Sequence, residues 1–345
     1  MTETADQLLE LMGAPGSPYT RKMIAYLRYR RIRYAVHWGT GQRAPEGYPV
    51  PKVRLLPTFY FPEGDNGLEA VVDSTPIIRR LEREYPDRAT IPVDPVLAFL
   101  AYLIEDYADE WGTKQMFHYR WAHRADAENA GPLLAYWANP SMAEAEMEAL
   151  AANFAQRQID RLYVVGSNEV TAATIEASYE RLLAILDGLI EAQGYVLGER
   201  PSSADFALYG QLTQLVQVEP TSSAIAAKNA PRVRAWIDRM EDLSGLSVDE
   251  SNWLNRESAG ETLGPLLAEI GRVYAPFLLA NAQAAMSGEQ GFETEIDGRA
   301  WTQPTFPYQA KCLHWIREEF AALPADDQKA AADILAGTGC EALPG

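Results

Sequence analysis

The sequence predicts an α/β N-terminal domain followed by an all-α domain, and three observations carry that expectation. Short strand-like runs alternate with helical ones over the first 86 residues. A proline-bearing segment, "IPVDPV" at 91–96, then interrupts the chain. Beyond it the helical period dominates as far as residue 243, with no strand signal of comparable strength. A length of 345 residues suits two or three domains. The composition, 47% hydrophobic and 23% charged, is that of a chain able to bury an ordinary core.

The elements follow in order. "QLLELM", 7–12, is a short apolar run ending at Gly13; it reads as a strand, although periodicity alone leaves a helix open. In "SPYTRKMIAYLRYRRI", Met23, Ile24 and Leu27 fall at helical spacing, with basic residues expected on the other side. "RYAVHW" alternates and reads as a strand; residues 39–52, rich in Gly and Pro, read as a loop. "PTFYF" and "LEAVV" are strands joined by the turn chemistry of "PEGDNG". "STPIIRRLEREY" is a helix that Pro86 closes. The strand–helix–strand unit implies a parallel pair through a right-handed crossover, and the hairpin extends it antiparallel. This order resembles the thioredoxin fold.

After the linker, Leu97, Leu100, Ile104, Tyr107 and Trp111 mark one face of a long helix, and further helices are expected near 141–163, 171–193, 203–217 and 231–243. Residues 246–345 form a third block. Its parts are a long apolar helix with Pro276 as a kink, a small hairpin around Asp297-Gly298, and the amphipathic helix "YQAKCLHWIREEF". The expected organisation is 1–88, 93–245 and a mostly helical extension, 246–345, folded against the rest.

The net charge of −18 argues against nucleic acid or an anionic membrane as a main partner, since both need a basic face, but leaves room for a small anionic ligand in a local pocket. Two cysteines, Cys312 and Cys340, make no disulfide framework and no CxxC pair. The N-terminus lacks the pattern of a secretory signal, and no run approaches about 18 uninterrupted apolar residues. A cytoplasmic protein without a membrane span is the expectation.

Several residues stand out on physical grounds. Ser17 is a favoured helix N-cap and Pro18 suits the first helical position. Pro57 stands at a strand start. Asp73 and Ser74 precede a helix and suit its cap. Ser202 and Asp205 have capping-box spacing and read as structural. Glu105 with Asp109, and Asp106 with Glu110, are i,i+4 carboxylate pairs; with no histidine at helical spacing among them they read as a solvated helix face. His37, His118, His123 and His314 show no metal-ligand spacing, so no metal is expected.

Four of these features, in this order, resemble the glutathione S-transferase family over about residues 8–243: "SPYTRK" at the start of the first helix, "LLPTF", "DSTPII", and "YVLGERPSSADFALYGQL". The resemblance implies a thioredoxin-like domain that binds glutathione as co-substrate, joined to an all-helical domain. It implies that Ser17 donates to the glutathione thiolate at a helix N-terminus, which lowers the thiol pKa. It implies a cis bond at Pro57 that lets the backbone of Leu56 pair with the ligand as an added strand. Asp73 and Ser74 would hold the γ-glutamyl ammonium and carboxylate. Tyr19, Tyr107 and Trp111 would line a pocket for an apolar electrophile. A homodimer is implied as well. Serine without a nearby cysteine disfavours thiol–disulfide exchange. Aspartate at position 73 is shorter than the family's usual Glu or Gln, and the last hundred residues exceed its two-domain length. Two readings therefore stand: a glutathione-dependent transferase acting on an apolar electrophile, and a non-catalytic binding or scaffold protein of that architecture.

Overall fold

The computed structural model describes residues 8–41, 44–64 and 67–345. The first residue of the predicted strand run, Gln7, the loop positions Gln42 and Arg43, and the turn positions Asp65 and Asn66 lie outside the described residues. The N-terminal elements are β1 (Leu9–Gly13), α1 (Pro18–Arg30), β2 (Tyr34–Trp38), β3 (Thr58–Glu63), β4 (Gly67–Val71) and α2 (Ser74–Glu84). The sheet runs β2-β1-β3-β4, with β1 parallel to β2 and the other neighbours antiparallel. Leu11 and Phe59 of the two central strands, Met23 and Leu27 of α1, and Ile77 and Leu81 of α2 are buried. That is the apolar set at periods 2 and 3.6 that the sequence carries. One expectation is corrected here: Lys22 and Arg30 are buried rather than on an outer basic face.

The helical part comprises α3 (Pro95–Ala122), α4 (Arg124–Ala138), α5 (Glu144–Ile159), α6 (Ala172–Gln193), α7 (Ser203–Thr213), α8 (Pro220–Asn229) and α9 (Pro231–Met240). Asp94 caps α3 by accepting from the N–H groups of Val96 and Leu97 at 2.9 and 3.1 Å. Helices α4 and α8 went unanticipated. Gly131 and Pro132 inside α4 read as breakers. Pro220 sits in the first turn of α8, where a missing N–H costs nothing.

The extension consists of α10 (Ala259–Ser287), β5 (Gly291–Ile296), β6 (Arg299–Pro304), α11 (Pro307–Ala321) and α12 (Ala325–Leu335). Asp297 and Gly298 both take positive φ, 54° and 69°, the two-residue turn that joins a tight antiparallel pair. Helix α10 is long and apolar enough to cross a membrane by length and composition. In the fold its Leu266, Leu267, Ile270, Val273 and Phe277 are buried, and it packs on α3, α6 and α11. The main buried cluster is continuous from Leu9 of β1 to Leu343. The last hundred residues thus share one core with the rest.

Candidate functional site

The site is built at the loop between β1 and α1. Ser17 is extended, with φ −91°, and caps α1; its Oγ accepts from the N–H of Thr20 at 3.2 Å. The same hydroxyl donates to the carbonyl of Leu56 at 3.4 Å, a long bond, and Ser17 is half-buried. The Leu56–Pro57 bond is cis. Helix α1 therefore starts with its free N–H groups and a hydroxyl facing the chain that enters β3.

The loop is clamped from behind. Arg120, near the end of α3 and buried, donates from Nη1 to the carbonyl of Gly16 at 2.9 Å, from Nη2 to Gln214 at 2.6 Å and from Nε to Glu219 at 2.5 Å. Gln214 in turn donates to the carbonyl of Pro15 at 3.3 Å. A Cβ on Gly16 would come within 2.4 Å of the Leu134 side chain of α4, so only glycine lets the loop lie this close. Sequence reasoning missed Arg120, because its partners are about 100 residues away in the chain on both sides.

The start of α2 forms the second edge. Asp73 holds φ at 81°, a strained value for a non-glycine residue, and accepts from the Tyr308 hydroxyl of α11 at 2.9 Å. Burial pushes its carboxyl up, and the Tyr308 bond offsets part of that. Ser74 accepts at its Oγ from Lys22 Nζ at 3.1 Å, which leaves the Ser74 proton available to an acceptor. Lys22 is fully buried and also donates to Glu105 at 2.8 Å and to Asp109 at 2.6 Å. Sequence reasoning missed Lys22 as well; the signal was a lysine beside Met23 and Ile24 in an otherwise apolar turn.

The carboxylates of α3 are not a solvated face, contrary to expectation. Asp106 accepts from the Tyr274 hydroxyl of α10 at 2.6 Å, and Glu110 from Gln309 of α11 at 2.8 Å. The extension lies over them, and α1 inserts Lys22 between Glu105 and Asp109. Burial and mutual repulsion push Asp106 up to about 7 and Glu110 up to about 8. Burial likewise raises Asp109, to about 6, with the charge of Glu105 beside it. For Glu105 the upward push of burial is outweighed by Lys22, and the carboxyl ends below its ordinary value. Lys22 itself is held protonated: burial opposes its charge, and two carboxylates override that.

The residues expected to line an apolar pocket are placed differently. Tyr107 and Trp111 are fully buried. Tyr107 packs edge-on to Tyr274, and Trp111 packs on Trp301 of β6 and donates to Ser178 at 3.0 Å. The extension fills the side of α3 that an open pocket would need. Tyr19 is half-buried and bonds α3, donating to the carbonyl of Asp109 at 2.8 Å beside Thr113. A cavity of about 640 Å³ lies between α4, α5 and the end of α3, lined by Trp121, Pro132, Met147 and Ala151 among others; none of the site residues named above reaches it. Ser202 and Asp205 form the capping box of α7, with the Ser202 N–H donating to Asp205 at 2.8 Å and the Val196 N–H doing the same.

Comparison with known proteins adds the family. Residues 11–89 match the family model described as the glutathione S-transferase N-terminal domain, and residues 144–239 the one described as the glutathione S-transferase C-terminal domain. Together the two matches take in just over half of the chain. Among solved structures, the chain is similar to a glutathione S-transferase from Methylobacterium radiotolerans in complex with glutathione sulfonate, at 19% identity, covering 72% of this chain and 96% of that one, with a TM-score of 0.39. It is similar to a glutathione transferase from Burkholderia graminis with two glutathione molecules bound per subunit, at 18% identity, 69% and 89% coverage and a TM-score of 0.43. The Tau class glutathione S-transferase of mango is similar at 16% identity, 75% and 98% coverage and a TM-score of 0.42. No curated protein matches the chain.

Proposed function

Since the chain belongs to the glutathione S-transferase family, we propose that it binds glutathione at the β1–α1 loop and uses the glutathione thiolate as a nucleophile toward an apolar electrophile. The observation that carries this reading is the Ser17 hydroxyl, half-buried at the N-terminus of α1: its oxygen accepts from the Thr20 N–H, while its proton is engaged only by a 3.4 Å bond to the Leu56 carbonyl. A proton so weakly engaged turns at little cost toward a thiolate while the oxygen keeps its cap bond. The partial positive charge of the helix start then favours the ionised sulfur. At neutral pH this raises the thiolate fraction without a protein base.

The backbone of Leu56 would pair with the ligand's peptide groups alongside Pro57, in the manner of an added strand. Asp73 would receive the γ-glutamyl ammonium. The groups around it, Lys22 with Glu105 and Asp109, leave a negative balance that suits a cation. The carboxylate would take the Ser74 proton and the helix-start amides.

Calorimetry with millimolar glutathione tests the binding, with a measurable dissociation constant as the expected result; no heat of binding would overturn the reading. Turnover against a panel of electrophiles tests the chemistry. Ser17→Ala is expected to lower kcat/KM at least about tenfold, in the range seen for loss of a single donor to a reacting anion, with glutathione affinity little changed. Equal turnover in both proteins would remove Ser17 from the mechanism. A second reading, a non-catalytic glutathione-binding protein, is favoured by two observations: Tyr308 already bonds Asp73, and the extension packs over α3. Binding without turnover on the whole panel would select it.

A further inference from the structure

Away from this site, two histidines and a glutamate converge where α3 ends. His118 lies in the last turns of α3, His123 joins α3 to α4, and Glu176 stands in the second turn of α6. Their ligand atoms all lie within 4.8 Å of one another. Glu176 Oε1 is 3.2 Å from His118 Nε2 and 3.3 Å from His123 Nε2. A tetrahedron with metal–ligand bonds of about 2.0–2.1 Å has edges of about 3.3 Å. Two edges of such a site are thus already set.

Ordinary hydrogen bonding accounts for only part of the arrangement: His118 Nε2 and Glu176 Oε1 are at hydrogen-bond distance, 3.2 Å, and the second histidine is left over. His123 Nε2 is shielded from solvent and finds no hydrogen-bond partner, although Oε1 is close. It is a shielded ring nitrogen beside a carboxylate oxygen that His118 already shares. The support behind it is built. His118 Nδ1 is 2.8 Å from the Ser167 hydroxyl, and Ser167 is buried with its N–H on the Leu162 carbonyl. That bond fixes the ring and turns Nε2 toward Glu176, as the outer partner of a ligating histidine does. Tyr119 packs tilted against His123 and edge-on to Tyr179 of α6, bringing the two helices together here. Glu176 and His123 are about one-third exposed, so an ion has an entrance and a fourth position open to water.

We infer that His118, His123 and Glu176 form a binding site for one divalent transition-metal ion of the zinc type. Two imidazoles and one carboxylate suit zinc over magnesium or calcium, which take oxygen sets. The sequence hid the site because the histidines are five apart, not on one helical face, and the glutamate follows 58 residues after His118.

The test uses the full chain without a histidine tag, stripped with a chelator and titrated with zinc by calorimetry and with cobalt by visible absorption. The expected result is one ion per chain, a dissociation constant in the micromolar range or below, the intense bands of four-coordinate cobalt, and no displacement by excess magnesium. Glu176→Gln and His123→Ala, both at partly exposed positions, are each expected to weaken zinc binding at least about tenfold while the thermal melt of the stripped protein stays unchanged. Wild type that takes up no zinc, or variants that bind it as wild type does, would overturn the inference.

Discussion

Asp106 and Glu110 carry carboxyls raised from 3.8 and 4.5 to about 7 and about 8 in the fold. Their unfolded counterparts ionise near the ordinary values. Between pH 5 and 8 the folded chain therefore holds protons that the unfolded chain has lost. The stability these two groups contribute is complete below about pH 4 and falls away as pH rises through 7 and 8. Lys114 works in the opposite sense. Burial lowers it to about 7, so its cost is relieved only above that pH. Glu110→Gln keeps an acceptor for Gln309 and removes one titration. Thermal melts across pH 5 to 8 are expected to show a shallower decline for this variant, with a gain of roughly 1–3 kcal/mol at pH 8. Parallel curves for variant and wild type would show that Glu110 is ionised in the fold throughout.

At the level of elements, α3 is the piece that orders the others. Its middle meets the extension through Asp106, Glu110 and Trp111 and receives Lys22 from α1 at Glu105 and Asp109, and its end sends Arg120 to the loop before Ser17. Arg120→Ala would leave Glu219 buried beside an empty place, and unfolding in urea is expected to show a loss of about 3–5 kcal/mol. Arg120→Met combined with Glu219→Leu removes both charges and is expected to lose less than the single change. A single variant as stable as wild type would show that the clamp contributes nothing. What was legible in the sequence follows the same division. Ser17 with Pro18, the hairpin at 297–298 and the box at 202–205 are local patterns whose causes lie within a few residues, and the fold class follows from such patterns. The buried acidic stripe was not legible, since i,i+4 carboxylates look alike on a wet face and a covered one. Lys22, Tyr274 and Gln309, which decide the matter, come from three other helices. Trp111 was read as facing a cleft because nothing in its own helix announces Trp301.

For the whole molecule, the extension is part of the core rather than an appendage. Ending the chain after residue 245 would uncover Tyr107 and Trp111, which pack on Tyr274, Phe277 and Trp301, and would leave Asp106 and Glu110 without Tyr274 and Gln309. The shortened protein is expected to bind an apolar dye strongly and to melt lower by on the order of 10 °C or more. A melt matching that of the full chain would show that the two parts are energetically separate.

The Tyr308–Asp73 bond joins positions 235 residues apart. During synthesis the N-terminal sheet and α3 leave the ribosome long before the helix that completes their surface is made. Until then the growing chain carries an acidic, aromatic face with no cover, the kind of surface that chaperones hold and that slows maturation in folds closed by distant contacts. Closing that face therefore waits on the docking of the helix that carries Tyr308. A nascent chain halted short of it would be a substrate for quality control.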